Sequence, residues 1–230
     1  MNRSRREFLG RVTTSAAGTM MLAGAPIPVD VVAGMFRPAS AAAGPEEWDL
    51  SWVERVKGKY RAVFDVPEVE SGYGVWRASL WETQYQQVLG AKPAEMSAVL
   101  VLRHNGIALA MQQAFWDRYG VGQAKKVLHP ITQQPTDRNP ALLSSSRGEI
   151  PATFDAVQLD RFIARGGIAL ACSLAFDDCV QTVRAKDGVS DEQARTAALA
   201  SLVPGVILQP SGVFAALRAQ DAGCRYLRAS

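Results

Sequence analysis

Two histidines and three cysteines are the whole supply of imidazole and thiolate metal ligands in this 230-residue chain. Neither a CxxC nor an HxxxH pair occurs, whereas zinc sites draw on closely spaced ligands, so no metal site is expected. A GxSxG elbow is missing, and neither a GxGxxG fingerprint nor a phosphate-binding loop follows any strand-like run. Those absences leave Ser–His catalysis without a supporting motif, remove the nucleotide-binding readings and predict no cofactor. A run of ~20 strongly apolar residues is also lacking, so no stable membrane span is expected once the amino-terminal segment is removed.

That segment is the first thing the sequence does contain. "MNRSRREFLGRVTTSAAGTMML" opens on basic residues, continues into a mildly apolar run and reaches small residues at "RPASAAAG". Basic start, apolar middle and small-residue end form the order of a secretory signal. Arg5, Arg6, Phe8 and Leu9 resemble the twin-arginine export signal. Residues 1–43 are therefore expected to be removed after Ala41 or Ala43, leaving a periplasmic or otherwise exported protein. The segment holds five basic and two acidic residues, and subtracting these from the chain's 25 and 22 leaves 20 of each. A formally neutral remainder argues against a nucleic-acid surface, which needs a clustered basic footprint.

Residues 44–59 read as an arm whose Trp48 and Trp52 dock on a core or on a partner subunit. "YRAVFDV" and "MSAVLVL" have the length and β-branched content of buried strands. "IALACSLA", "GVILQ" and "CRYLR" supply three more. Helical spacing joins them: "VWRASLWETQYQQVL" ends at Gly90, "IALAMQQAFWDRY" at Gly120, and "ATFDAVQLDRFIA" precedes the third strand. Ser190 and Gln193 have capping-box spacing. Strands alternating with helices predict an α/β fold, three layers around a mainly parallel sheet of about five strands, over residues 60–230. The proline-rich stretch 121–152 is expected to be a long polar loop, ordered rather than helical.

In a parallel sheet all strand exits share one edge, where such folds bind ligands. "LRHNG" sets Arg103, His104 and Asn105 at the second exit, and "LACS" sets Cys172 at the third. A thiol and an imidazole on a common open rim would suit sulfur chemistry, because a cationic neighbour or helix amino terminus increases the thiolate fraction. The competing reading makes Cys172 an inert small side chain. Export permits disulfides, and Cys172–Cys179 would close a strand–turn–helix link through a Phe-Asp-Asp turn. Cys224 could lie beside either one. Three reduced cysteines are the preferred reading.

Taken in order, "VLRHNGIALAMQQAFWDRYG", "GGIALACSLAF" and "LVPGVILQPSGVFAALRAQDAGCRYLRAS" resemble DsrE/DsrF-like proteins, in their exported, twin-arginine-signal branch. The closing "PGV…PSGV…L…Q..G..Y" pattern carries most of the likeness. The resemblance implies a compact three-layer fold assembled as homo-oligomers, trimers or hexamers. It also implies a strand-end cysteine, here Cys172, that carries persulfide sulfur between donor and acceptor proteins. Arg103, His104 and Asn105 would shape its pocket. The alternative is a non-catalytic oligomeric binding or assembly protein whose cysteines only pack.

Overall fold

The computed structural model describes residues 48–230. The export signal expected at 1–43, and residues 44–47 of the arm, lie outside the described residues. Five strands form one sheet: β1 (Tyr60–Val66), β2 (Met96–Leu102), β3 (Ile168–Cys172), β4 (Val206–Gln209) and β5 (Arg225–Arg228). All pair in parallel, in the order β4-β3-β2-β1-β5. The three inner strands are apolar along nearly their whole length because both sheet faces are covered. By contrast, β5 is exposed at all four residues.

The helices are α1 (Tyr73–Leu89), α2 (Gln113–Tyr119), α3 (Val121–Ala124), α4 (Leu159–Ala164), α5 (Ser173–Asp187), α6 (Asp191–Ala200) and α7 (Gly212–Asp221). One face of the sheet, through Phe64, Leu100, Leu102 and Ala171, packs against α1, α2, α4, α5 and α6. The other, through Val63, Val99, Val101 and Leu170, packs against α7 and against Trp52 in a 3-10 turn of the arm (Ser51–Arg55). Trp52 is fully buried and donates from Nε1 to Gln209 Oε1 at 3.1 Å. It therefore docks on the core of its own chain.

Three local expectations are corrected. Residues His104–Ala110 form a 3-10 turn, and only Gln113–Tyr119 are α-helical. Ile107 to Ala110 are buried together, and Met111 leaves the turn to bridge Leu202, so no solvent-facing helical stripe is needed. The stretch before β3 breaks at Gln158, which is extended (φ −74°, ψ 154°). Its buried side chain accepts the Leu143 N–H at 2.9 Å, a bond that holds the proline-rich stretch. Finally, no Phe-Asp-Asp turn follows β3: the strand stops at Cys172 and α5 starts at Ser173, so Phe176, Asp177 and Asp178 lie inside that helix.

The 121–152 stretch begins with the short helix α3 (Val121–Ala124) and holds a 3-10 turn at Ser145–Arg147, and the rest is irregular chain pinned by polar contacts. Asn139 is fully buried and donates to Leu109 O and Met111 O at 3.1 and 2.7 Å. Glu149 gathers Arg138 and Arg147 at 2.7 and 2.8 Å. His129 is used structurally, its Nδ1 accepting the Ile131 N–H at 3.2 Å. Ser190 and Gln193 form the expected capping box at the start of α6.

Candidate functional site

Because all five strands are parallel, Val66, Leu102, Cys172, Gln209 and Arg228 end at one edge. The connections leaving β1, β2 and β3 cover the α1/α5 face, whereas the connection leaving β4 passes through α7 on the opposite face. The exits of the neighbouring strands β3 and β4 thus lead to opposite faces of the sheet. In open parallel sheets the crevice outside such a pair of strand ends is where ligands bind.

Cys172 and Gln209 are register partners at that point. Cys172 immediately precedes α5, with an extended backbone (φ −73°, ψ 117°). Beyond Gln209, Ser211 caps α7 by accepting the Phe214 N–H at 3.0 Å. The amino termini of a 15-residue and a 10-residue helix therefore flank the position, and each contributes partial positive charge. Gln209 is fully committed to structure. Besides Trp52, it holds the Asp49 carbonyl at 2.9 Å and its neighbour Leu208 at 2.8 Å. Nothing in its local sequence marked that role, since the partners lie some 160 residues away.

Arg103 follows the last β2–β3 register pair, Leu102–Ala171, and so stands level with Cys172. Its Nε and Nη2 donate to the two carboxylate oxygens of Asp65, each at 2.7 Å. Tyr226 completes the cluster by donating from its hydroxyl to Asp65 Oδ2 at 2.6 Å. The Asp65 hydrogen bond raises Arg103 further above its ordinary value, and the same carboxylate, helped by burial, raises Tyr226. A side chain at position 212 would overlap Arg103, so Gly212 lets the first turn of α7 close on the guanidinium stem.

His104 and Asn105 belong to another cluster on the same rim. His104 Nδ1 lies 3.4 Å from Glu68 Oε1, and its ring is 66% exposed. Asn105 donates to Glu68 Oε2 at 2.9 Å and accepts from Lys125 Nζ at 3.0 Å. The open rim expected to hold thiol and imidazole together is not what the structure has: Cys172 is only 6% exposed. Clefts of about 410 and 610 Å³ lie elsewhere, the first beside Arg55, Arg165 and Gly167, the second beside Trp81 and Leu227.

All three cysteines are free and buried. Burial pushes the Cys179 thiol up to about 12, with the Lys125 charge opposing. It pushes Cys224 up to about 11, with Arg61 opposing. Cys172 and Cys179 share the α5 side of the core, and Cys224 lies in the cluster across the sheet.

No protein-family model matches the chain, and no curated protein matches it. A similar solved structure is a protein of unknown function, MTH1491 from Methanobacterium thermoautotrophicum. It is 17% identical, covers 74% of this chain and 99% of its own, and has a TM-score of 0.37.

Proposed function

We propose that this chain is a thiol-dependent sulfur carrier, with Cys172 as the acceptor and Arg103 beside it. The observation that supports this most directly is the position of Cys172 at the end of β3, next to β4, where the two strand exits lead to opposite faces, ahead of one helix and paired with the strand that leads into another. The other thiols are poor candidates, since burial raises them to about 12 and about 11. The likeness to DsrE/DsrF-like proteins in "GGIALACSLAF" points to the same cysteine.

In the step envisaged, the Cys172 thiolate attacks the terminal sulfur of a donor persulfide. The new Sγ–S bond forms as the donor's S–S bond breaks, and the donor leaves as its thiolate with the electron pair. The transferred sulfur keeps its proton, so Cys172 becomes the persulfide and no outside oxidant is consumed. With its sulfur recessed, Cys172 depends on movement of the strand-end rim to admit a donor. His104, Asn105 and Glu68 form the exposed part of that rim. Export through the twin-arginine route and assembly into trimers or hexamers belong to the same proposal.

Intact-mass measurement after incubation with glutathione persulfide tests the assignment. Wild type, Cys179→Ser and Cys224→Ser each gain one sulfur atom, while Cys172→Ser gains none. Equal gain by Cys172→Ser removes Cys172 as the acceptor. The burial of Cys172 favours a second reading, a binding or assembly protein whose cysteines only pack. Under that reading all four proteins keep their mass.

A further inference from the structure

The sheet ends on one side at β5, and no strand among the described residues pairs with its outer edge. An unpaired edge presents a row of backbone donors and acceptors to any extended chain of suitable side-chain chemistry. Beside it lies the cleft of about 610 Å³. Its floor is a chain of four touching rings: Tyr60–Tyr85 at 5.2 Å, Tyr85–Trp81 at 5.0 Å and Trp81–Phe64 at 5.8 Å between centroids. Leu89 and Leu227, 55% and 49% exposed, form its apolar walls.

The charges of the cleft have one sign. Among the described residues, Lys59, Arg61 and Arg225 line it and no carboxylate does. Arg61 is fixed in place, donating from Nη1 to Ala222 O at 2.9 Å and from Nε to Gly58 O at 3.0 Å. Gly223 makes this possible, since a Cβ there would lie 2.9 Å from Arg61 Nη1. Charge also selects among occupants. Pairing β5 with β5 of a second copy, antiparallel about a dyad between Tyr226 and Leu227, would set Arg225 opposite Arg228. Like charges directly across a strand pair are destabilising.

We propose that β5 and this cleft dock an extended acidic segment of a partner protein, added as a sixth strand. Its backbone pairs with the open edge, its apolar side chains cover the ring ladder, and its carboxylates meet Lys59, Arg61 and Arg225. The site is separate from Cys172, and the proposal stands whether or not sulfur is carried there.

The probe is fluorescein-labelled Ac-EVELEVE-amide, measured by fluorescence anisotropy against the full chain at low and moderate salt. Binding is expected to weaken as salt rises, because exposed charge pairs are screened. The Gln analogue, Ac-QVQLQVQ-amide, and the Arg225→Glu variant should each bind about tenfold more weakly. A peptide with N-methyl groups on alternate residues along one backbone edge should lose binding, since it cannot pair with a strand. Arg225 is exposed, so its replacement leaves the fold intact, checked by an unchanged thermal midpoint. The proposal is overturned if the Gln analogue binds as well as the Glu peptide, or if N-methylation has no effect. It also fails if Arg225→Glu binds normally, if a single-stranded oligonucleotide of similar length binds more tightly, or if no peptide binds.

Discussion

Arg103 grips Asp65 with two parallel hydrogen bonds of 2.7 Å, and the carboxylate it holds is 2% exposed. Both oxygens are engaged, and Tyr226 adds a third bond from β5. One buried charge thus ties together β1, the exit of β2 and the last strand.

Removing one partner of such a pair leaves the other buried and uncompensated. Arg103→Leu is expected to cost about 3 kcal/mol of stability, read as a lower urea midpoint at unchanged slope. Adding Asp65→Asn on that background should recover part of the loss, because the stranded charge is gone. Equal midpoints for the single and double variants would show that the ion pair itself contributes little.

Cys179 and Cys224 each contribute to a loss of stability in alkali. Their folded values lie above the ordinary 9.0, at about 12 and about 11, because burial disfavours the thiolate. Below pH 9 both states keep these protons, so the two thiols add no slope. Above it the unfolded chain releases protons that the native chain retains, and stability falls as pH rises. The fall runs toward pH 11 for Cys224 and pH 12 for Cys179. One retained proton contributes about 1.4 kcal/mol per pH unit. Denaturant unfolding between pH 8 and about 10.5 should therefore give a shallower decline for Cys179→Ala than for wild type. A parallel decline would place that thiol in a more polar setting.

Much of the fold could be read locally. "YRAVFDV" and "MSAVLVL" are strands at the expected residues, since apolar β-branched runs of that length suit the middle of a parallel sheet. Gly90 and Gly120 close their helices in the left-handed conformation, at φ 64° and 65°. What local pattern did not carry was partnership across distance. Asp65 is an acid inside an apolar strand and so needs a buried partner, but its partners are 38 and 161 residues away and the strand pattern alone did not single it out. The same holds for the exit of β2. "RHN" was read as one cluster, yet Arg103 turns to Asp65 while His104 and Asn105 turn to Glu68.

Trp52 gives the arm a role that can be measured on the monomer. Its indole N–H and Gln209 Oε1 are both buried, and the bond between them fastens the arm to the end of β4. Gln209→Leu would orphan the indole donor and release the Asp49 carbonyl, at a cost of about 1–3 kcal/mol for the unsatisfied group. Deleting residues 48–56 should go further, lowering the thermal midpoint and increasing binding of a hydrophobic dye as the α7 side of the sheet opens. An unchanged midpoint would return the arm to the role of an interface element.

The turn after β2 separates backbone from side-chain requirements at the rim. Gly106 donates to Pro67 O at 2.9 Å, and any Cβ at that position would overlap the Val66 carbonyl oxygen. Gly106→Ala must push the β1 and β2 exits apart, so a severe loss of soluble, folded protein is expected. His104 poses a gentler test. It holds φ at 51°, in the left-handed region that Asn tolerates better than most residues. His104→Asn therefore keeps the backbone while removing the imidazole beside Glu68, and its thermal midpoint should match wild type. If the ring helps donors reach Cys172, the rate of sulfur uptake from glutathione persulfide falls at that constant stability. A lowered midpoint with an unchanged uptake rate would make His104 a turn residue only.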